Sequence, residues 1–256
     1  MEKYIDLNSD LGEGFGSYRI GNDEDIIKTV SSINIACGWH AGDPLIMDQT
    51  IALSKKYGVK VGAHPGYPDL LGFGRRDIKI SLKEARAYLL YQLGALDAFA
   101  RSHDIDIQHV KLHGAFYNMT SKDKDMAKVL IEALRKYNER IFFLCLSGSN
   151  FAHVAKEEGA FLAQEVFADR AYNEDGSLVP RSQKGAVIED EEEAIKRTVK
   201  MVQEGLVETI TGKVIPIAVD SICVHGDNPK AVQFVKKIRQ SLMDEGVLLK
   251  AFSENI

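Results

Sequence analysis

Short apolar runs typical of strands alternate along this 256-residue chain with segments of helical periodicity. Val, Ile, Leu and Phe dominate the strand-like runs, as expected of strands that are covered on both faces. The strand candidates are residues 3–8, 32–37, 59–64, 107–113, 141–146, 161–166 and 220–225, with 185–188 and 214–219 as weaker ones. The helix candidates are residues 23–31, 44–57, 82–102, 122–137, 150–158, 190–204 and 228–245.

Several predicted helices begin with residues that can cap them. Asp43 stands directly before Pro44, which places an N-cap carboxylate ahead of proline at the first helical position. Ser81 and Glu84 have the spacing of a capping box. The further N-cap candidates are Ser121 and either Asp227 or Asn228.

The alternation amounts to roughly seven βα units without a linker, a low-complexity segment or an internal repeat. It predicts an α/β fold in which residues 1–256 form one domain, a single-domain seven-stranded (β/α) barrel. An open doubly wound sheet is the alternative, but its nucleotide-binding forms carry a glycine fingerprint in the first turn. Here Gly12, Gly14 and Gly16 place the third glycine too early, so we interpret them as turn formers.

Composition excludes several classes of protein. The net charge is −5 and no Lys/Arg-rich run occurs, which argues against a nucleic-acid or membrane surface. No apolar stretch approaches the roughly 20 residues that span a bilayer. The first ten residues lack a basic segment followed by an apolar one, so we expect no signal peptide and a cytoplasmic location. Three widely spaced cysteines without a Cys-x-x-Cys pair predict reduced thiols.

Four histidines follow strand-like runs and precede a Gly or Pro within two residues. They are His40, His64, His113 and His225. Four further polar residues take similar positions: Asp10, Lys111, Glu165 and Asp169. Because alternating βα folds place their chemistry at the carboxyl ends of the strands, we predict one polar site drawn from across the chain.

Alternation within the first strand directs Asp6, Asn8 and Asp10 to one face, which in a barrel is the interior. A polar edge strand facing water is the alternative. The fourth strand repeats the pattern, since Lys111 and His113 share a face. A lysine inside a barrel must be paired, either with a carboxylate or with an anionic substrate.

His109 lies lower on the same strand face and is interpreted as a hydrogen-bonded core histidine. Two loops after strands carry charge. Arg75 and Arg76 follow a Gly- and Pro-rich segment and can grip a carboxylate or phosphate, or can simply be solvated. The second loop begins at Glu165 and includes Arg170.

Mixed His and Asp sets suit zinc or another divalent ion. Each ligand here would come from a different strand end, so the sequence leaves the metal unknown. Nucleophilic catalysis has less support, because no Gly-x-Ser-x-Gly elbow occurs. Cys37 is a candidate nucleophile near the mouth, although a small buried filler is the plainer interpretation.

Seven motifs in one order resemble the LamB/YcsF family, the family of 5-oxoprolinase A subunits. The resemblance runs from about residue 4 to residue 250, with Leu112 and Trp39 where the family often has proline and phenylalanine. The motifs are Asp6-Leu-Asn-Ser-Asp-Leu-Gly-Glu-Gly-Phe-Gly16, Asn34-Ile-Ala-Cys-Gly-Trp-His-Ala-Gly-Asp43, Gly62-Ala-His-Pro-Gly-Tyr-Pro-Asp69, Gly72-Phe-Gly-Arg-Arg76, Val110-Lys-Leu-His-Gly-Ala-Phe-Tyr-Asn118, Glu165-Val-Phe-Ala-Asp-Arg170 and Val224-His-Gly-Asp227.

The resemblance implies a seven-stranded barrel akin to the glycoside hydrolase/deacetylase superfamily. It also implies ATP-dependent hydrolysis of 5-oxo-L-proline to L-glutamate, with ADP and phosphate released, by an assembly with two other subunits, B and C. Our hypothesis for the catalytic residues is Asp10, His64, His113 and His225. Our hypothesis for the substrate-binding residues is Asp6, Asn8, His40, Arg75, Lys111, Asn118, Glu165, Asp169 and Arg170.

The chain lacks a P-loop, so we expect ATP to bind at a partner subunit or through a non-standard loop such as residues 72–76. Two rival functions stay open. The chain is alternatively a stand-alone metal-dependent amidase or deacetylase, which a metal assay with activity before and after chelation would reveal. It is alternatively a non-catalytic binding subunit, which dead-site variants that still assemble would reveal.

Overall fold

A computed structural model describes residues 3–224 and 229–255. Within them, the barrel strands are β1 (Lys3–Leu11), β2 (Ser32–Ala36), β3 (Lys60–His64), β4 (Ile107–Val110), β5 (Phe142–Leu146), β6 (Leu162–Phe167) and β9 (Ser221–Cys223). These seven strands are parallel and close into a barrel in this order, with β9 pairing back to β1. The predicted seven-stranded (β/α) barrel is confirmed.

Helices cover the outside of the barrel. They are α1 (Asp23–Ile27), α2 (Pro44–Tyr57), α3 (Leu82–Ser102), α4 (Gly114–Thr120), α5 (Lys124–Tyr137), α6 (Asn150–Glu157), α7 (Glu191–Glu204) and α8 (Pro229–Asp244). Their apolar stripes pack on outward-facing strand residues such as Ile5 and Leu7 and form the main core. Every helix in the described part of the chain is too short or too polar to cross a membrane.

Two predicted helix starts are confirmed at the level of individual hydrogen bonds. Asp43 accepts from the backbone N–H groups of Leu45 and Ile46. Ser81 and Glu84 form both halves of the capping box. The prediction for Ser121 is wrong, because Asp123 caps α5 instead and accepts from two N–H groups of the first turn. Asp227 and Asn228 lie outside the described residues.

Some elements differ from the sequence prediction. Residues 185–188 are not a strand, since only Val187 forms an isolated bridge, to Arg170, and the neighbouring Ala186 packs into a small loop cluster. β4 ends at Val110, although Lys111 N still donates to Ala63 O of β3. Outside the barrel, β7 (Leu206–Glu208) pairs antiparallel with β8 (Val214–Pro216).

The C-terminal segment closes the amino-terminal end of the barrel. β10 (Val247–Leu249) pairs in parallel with the first residues of β1, and a 3-10 helix, Phe252–Asn255, follows. The buried Phe252 ring lies 5.4 Å from the His109 ring and 5.3 Å from the Phe142 ring, measured between centroids. Aromatic packing therefore seals the floor beneath the polar interior.

Candidate active site

The interior of the barrel is polar, and Lys111 is at its centre. Its ammonium group lies 3.1 Å from Asn8 Oδ1, 3.1 Å from Asp10 Oδ1, 3.0 Å from Glu165 Oε2 and 3.2 Å from Cys223 Sγ. β4 is adjacent to neither β1 nor β6, so these contacts cross the barrel. Three N–H donors thus face four protein acceptors, and Lys111 holds two carboxylates in place.

Below Lys111, further polar side chains connect neighbouring strands. Asn34 Nδ2 donates to Asn8 Oδ1 and to Asp10 Oδ1, both at 2.8 Å. His109 Nε2 lies 2.5 Å from Asn34 Oδ1, so the prediction that His109 is a hydrogen-bonded core histidine is confirmed. Asp6 forms the lowest layer and accepts from Ser31, Ser32 and Ser221. Hydrogen bonds thus connect the polar side chains of the barrel interior from Asp6 up to Lys111.

At the mouth, four side chains converge on one point. Glu13, His40, His64 and His113 each direct one potential ligand atom there, and these atoms all lie within 4.8 Å of one another. Glu13 Oε1 is 3.4 Å from His40 Nε2 and 3.6 Å from His113 Nδ1. Asp10 Oδ2 is 3.4 Å from His64 Nε2, which places a second carboxylate beside the group.

The outer nitrogens of two of these rings are occupied by backbone carbonyls. His64 Nδ1 lies 2.8 Å from Lys111 O, and His113 Nε2 lies 2.8 Å from Phe73 O. A carbonyl oxygen only accepts hydrogen bonds, so each ring carries its proton on that outer nitrogen. In the neutral form of each ring the inner nitrogens, His64 Nε2 and His113 Nδ1, carry the lone pairs, and they face each other across 2.9 Å.

Burial controls the ionisation of these groups. Burial and the neighbouring His64 lower the pKa of His113 to about 3. Burial and the Lys111 ammonium group lower the pKa of His109 to about 3. Burial by itself would lower the pKa of Lys111, but Asp10 and Glu165 raise it well above its ordinary value. At neutral pH the His109 and His113 imidazoles are therefore neutral, while the Lys111 ammonium group is charged.

Glycines make room for the imidazole rings. A Cβ on Gly74, which has φ +62°, would lie 2.7 Å from His40 Cβ and 2.9 Å from His113 Cδ2. The preceding Phe73 also adopts the left-handed backbone conformation, with φ 53°, and supplies the carbonyl that orients His113. The loop is thus shaped to hold His40 and His113 stacked, with ring centroids 3.6 Å apart.

The structure brings most of the predicted site residues together. One connected interior network contains Asp6, Asn8, Asp10, His40, His64, Lys111, His113 and Glu165. Arg75 is exposed beside the mouth, with its guanidinium 5.0 Å from the Phe73 ring centroid. Asp169 follows β6 and is partly buried. His225 lies outside the described residues.

The remaining predicted residues occupy other environments. Arg76 pairs with Asp69 within its own loop, so it stabilises the loop conformation. Arg170 is buried and donates to Val179 O and Ala186 O, a contact pattern that favours holding the loop after β6. Asn118 is exposed on α4. Cys37 is buried, and burial raises the pKa of its thiol to about 12, which suits a packing role.

Reasoning from the sequence misses two residues of this site. Glu13 lies in a segment that we interpret from its sequence as a glycine turn. It comes two residues after the end of β1, however, and this position at the carboxyl end of a strand is a signal for a site residue. Tyr117 lies on α4, which the sequence pattern does not predict. Tyr117 follows His113 by four residues, a spacing that places two side chains on the same side of a helix, and this spacing is the sequence feature that could have indicated Tyr117 as a site residue. Burial and the Glu165 carboxylate raise the pKa of Tyr117 well above its ordinary value.

Comparisons with known proteins agree over the whole chain. The LamB/YcsF family model matches residues 5–256. The A subunit of 5-oxoprolinase from Fusobacterium nucleatum is 54% identical over 256 residues, which is 100% of both chains. The corresponding protein of Pyrococcus furiosus is 55% identical over 243 residues, which is 95% of each chain.

Solved structures agree with the fold. The crystal structure of a lactam utilization protein from Thermus thermophilus has a TM-score of 0.91 at 39% identity, covering 97% of this chain and 99% of that one. The structure of a deacetylase with substrate has a TM-score of 0.51 at 11% identity, covering 99% of this chain and 90% of that one, and it shares the fold alone. The chain belongs to the LamB/YcsF family.

Proposed function

We propose that this chain carries the lactam-opening centre of an ATP-dependent 5-oxoprolinase and that a divalent metal ion binds at Glu13, His40, His64 and His113. The relatives named as 5-oxoprolinase A subunits and as a lactam utilization protein support the substrate class. The reaction hydrolyses 5-oxo-L-proline to L-glutamate while ATP is converted to ADP and phosphate. Two further kinds of subunit, B and C, complete the enzyme.

One observation carries the metal proposal. Two lone-pair nitrogens, His64 Nε2 and His113 Nδ1, lie 2.9 Å apart because backbone carbonyls hold the protons of both rings on the outer side. Two facing lone pairs repel each other unless a cation lies beside them. Imidazole ligands that donate their other N–H to a carbonyl are the usual arrangement around zinc and similar ions, and Glu13 adds a carboxylate.

The other residues have roles that follow from their contacts. A divalent ion bound there would supply Lewis-acid polarisation of the amide oxygen and would lower the pKa of a nearby water. Asp10 lies beside His64 and is the candidate general base, which accepts a proton from the attacking water. Lys111 fixes the Asp10 and Glu165 carboxylates. Arg75, exposed at the mouth, is the candidate partner for the substrate carboxylate.

The contacts of the loop that includes residues 72–76 support an ATP site on one of the partner subunits. The N–H groups of Gly72, Phe73, Gly74 and Arg75 already donate to acceptors within the loop, at Asp69, Leu70 and Gly72. A phosphate cradle needs backbone N–H groups that point outward to the ligand. We therefore assign ATP binding to one of the two partner subunits, with Arg75 as the one residue of this loop that remains available to an anion.

Metal binding is tested first on the purified chain. We expect about one Co²⁺ per chain by elemental analysis, a visible absorption band of the bound ion, and a melting temperature that rises with metal concentration. His64→Ala should lose all three signals. His153→Ala, which removes an exposed histidine, is the matched control and should keep them. Wild-type protein without metal affinity would contradict the metal proposal.

Activity is tested in the assembly with the B and C subunits. We expect ATP hydrolysis that depends on both 5-oxoproline and this chain, and we expect Asp10→Asn and His64→Ala to abolish it while assembly is retained. Full turnover by these variants would contradict the catalytic assignment and would indicate a binding role. Amide hydrolysis by the chain alone, without ATP, would instead identify a stand-alone metal-dependent amidase.

A further inference from the structure

Two buried polar atoms beside Lys111 lack hydrogen-bond partners among the residues that the structure describes. They are the Tyr117 hydroxyl and Glu165 Oε1, the second oxygen of the carboxylate that binds Lys111. Tyr117 is 7% exposed and Glu165 is 0% exposed. An unpaired buried polar atom costs about 1–3 kcal/mol, so a pair of them inside a functional site points to a missing partner.

The two atoms belong to one neighbourhood. Burial raises the pKa of Tyr117, and the charge and hydrogen-bonding reach of the Glu165 carboxylate raise it further. The two groups are thus neighbours, but their alignment is too poor to satisfy either atom. The Tyr117 ring lies 6.3 Å from the Phe167 ring, and Lys111 Nζ lies 5.5 Å from the same Phe167 ring, measured to centroids. Lys111 cannot satisfy the second oxygen of Glu165, because its three donors are already shared among four acceptors. The phenol offers a donor, and the carboxylate oxygen offers an acceptor.

We propose that Tyr117 and Glu165 bind the amide edge of a cyclic amide, with the Tyr117 hydroxyl donating to the carbonyl oxygen and Glu165 Oε1 accepting from the ring N–H. This inference rests on the proposed function and specifies how the site selects its substrate. A five-membered lactam ring keeps its N–H and C=O on the same edge, so one small molecule satisfies both atoms.

The same geometry excludes other amides. Open-chain secondary amides are trans and direct their N–H and C=O to opposite sides, so they can satisfy only one of the two groups. Ring opening converts the lactam into a carboxylate and an amine, and the paired edge disappears. The site therefore distinguishes substrate from peptide amides and also from product.

The test uses Tyr117→Phe in the complete assembly, with Tyr67→Phe as the matched control because Tyr67 is another buried phenol. We expect Tyr117→Phe to lower kcat/KM for 5-oxoproline about 10-fold or more, since a buried substrate contact is lost. Its metal content should stay at the wild-type value, and its melting temperature without substrate should equal or exceed that of wild type, because an unpaired buried hydroxyl is removed. N-methyl-5-oxoproline, which lacks the N–H, should compete at least about 10-fold more weakly than 5-oxoproline at the wild-type site.

Wild-type kcat and KM in Tyr117→Phe would overturn the inference, and so would equal affinity for the N-methyl compound. A crystal with 5-oxoproline in which the amide edge contacts neither Tyr117 nor Glu165 would also overturn it. None of these results touches the proposed function, which fails separately if wild-type assemblies show no turnover that depends on 5-oxoproline.

Discussion

Gly62 lies directly against the imidazole ring of His109, and a Cβ at Gly62 would come 2.1 Å from His109 Nε2. The same nitrogen lies 2.5 Å from Asn34 Oδ1, so the imidazole cannot withdraw without breaking the interior network. His109 can therefore extend from β4 into the barrel interior only because residue 62 of β3 is glycine, which has no side chain to occupy that space.

Gly62→Ala should therefore destabilise the protein by about 2–5 kcal/mol, combining overpacking with a lost buried hydrogen bond. Urea unfolding followed by circular dichroism measures the change. Gly94→Ala is the matched control, because a Cβ there meets nothing within 4 Å and α3 would gain helix propensity. Equal stability of the Gly62→Ala variant and wild type would contradict the packing described for His109.

Lys111→Met should destabilise the chain by about 3–5 kcal/mol at pH 7, because Asp10 and Glu165 would lose their buried counter-charge. The double variant Lys111→Met/Glu165→Gln should recover part of that loss, since it removes one uncompensated carboxylate. Equilibrium unfolding of wild type, of the single variants Lys111→Met and Glu165→Gln, and of the double variant provides the four free energies of a double-mutant cycle. Lys128→Met, at an exposed pair with Glu158, should change little. Additive effects of the two core substitutions would argue against the ion pair.

Asp6→Asn should remove a pH dependence of stability. Burial raises the pKa of Asp6 from 3.8 to about 6, against the lowering effect of its three serine donors. Between pH 4 and 6 the native state binds a proton on Asp6 that the unfolded chain has lost. The stabilising effect of this proton is complete at low pH and disappears as the pH rises through about 6. The free energy of unfolding should thus fall by about 2 kcal/mol between pH 4 and 6 in wild type relative to the variant.

Urea unfolding of both proteins at several pH values from 4 to 7.5 measures this difference, which is insensitive to other titrating groups because they are common to both chains. Curves that stay parallel across the range would show that Asp6 keeps an ordinary pKa in the folded barrel. The serine donors would then outweigh burial.

Glu13→Gln should weaken divalent-metal binding by more than the roughly 10–100-fold expected for loss of an outer-shell partner, because a charged ligand is removed. Titration of the purified chain with Co²⁺, followed by absorption, measures the affinity. Glu158→Gln removes a surface carboxylate and is the control. Unchanged affinity in Glu13→Gln would remove Glu13 from the metal site while leaving the three histidines as candidates.

The elements with the strongest local signals could be predicted closely. The structure places α2 and α3 at residues 44–57 and 82–102, as predicted, because each has a marked N-cap and a helical apolar period. Elements that depend on tertiary contacts could not be predicted in this way. α4 begins with glycine and has only seven residues, and the three-residue β10 pairs with a strand at the opposite end of the chain.

The same distinction applies to the site. The alternation of Asp6, Asn8 and Asp10 predicts a polar barrel interior, and the contacts of Lys111 confirm that interior. The roles proposed for these residues remain predictions. Arg170 shows the limit of reasoning from position, since a buried guanidinium after a strand binds loop carbonyls in the structure.

By itself the sequence determined the strand-helix alternation, the family and the residue types at the strand ends, because periodicity and motifs are local properties of the chain. Only the tertiary structure decided which of those residues meet. Barrel closure through β1 and β9 brings Glu13, from a glycine turn, to within 3.6 Å of His113, which lies 100 positions along the chain. Carbonyl oxygens of residues 73 and 111 then fix where the two imidazoles carry their protons, and no pattern of side chains encodes that backbone geometry.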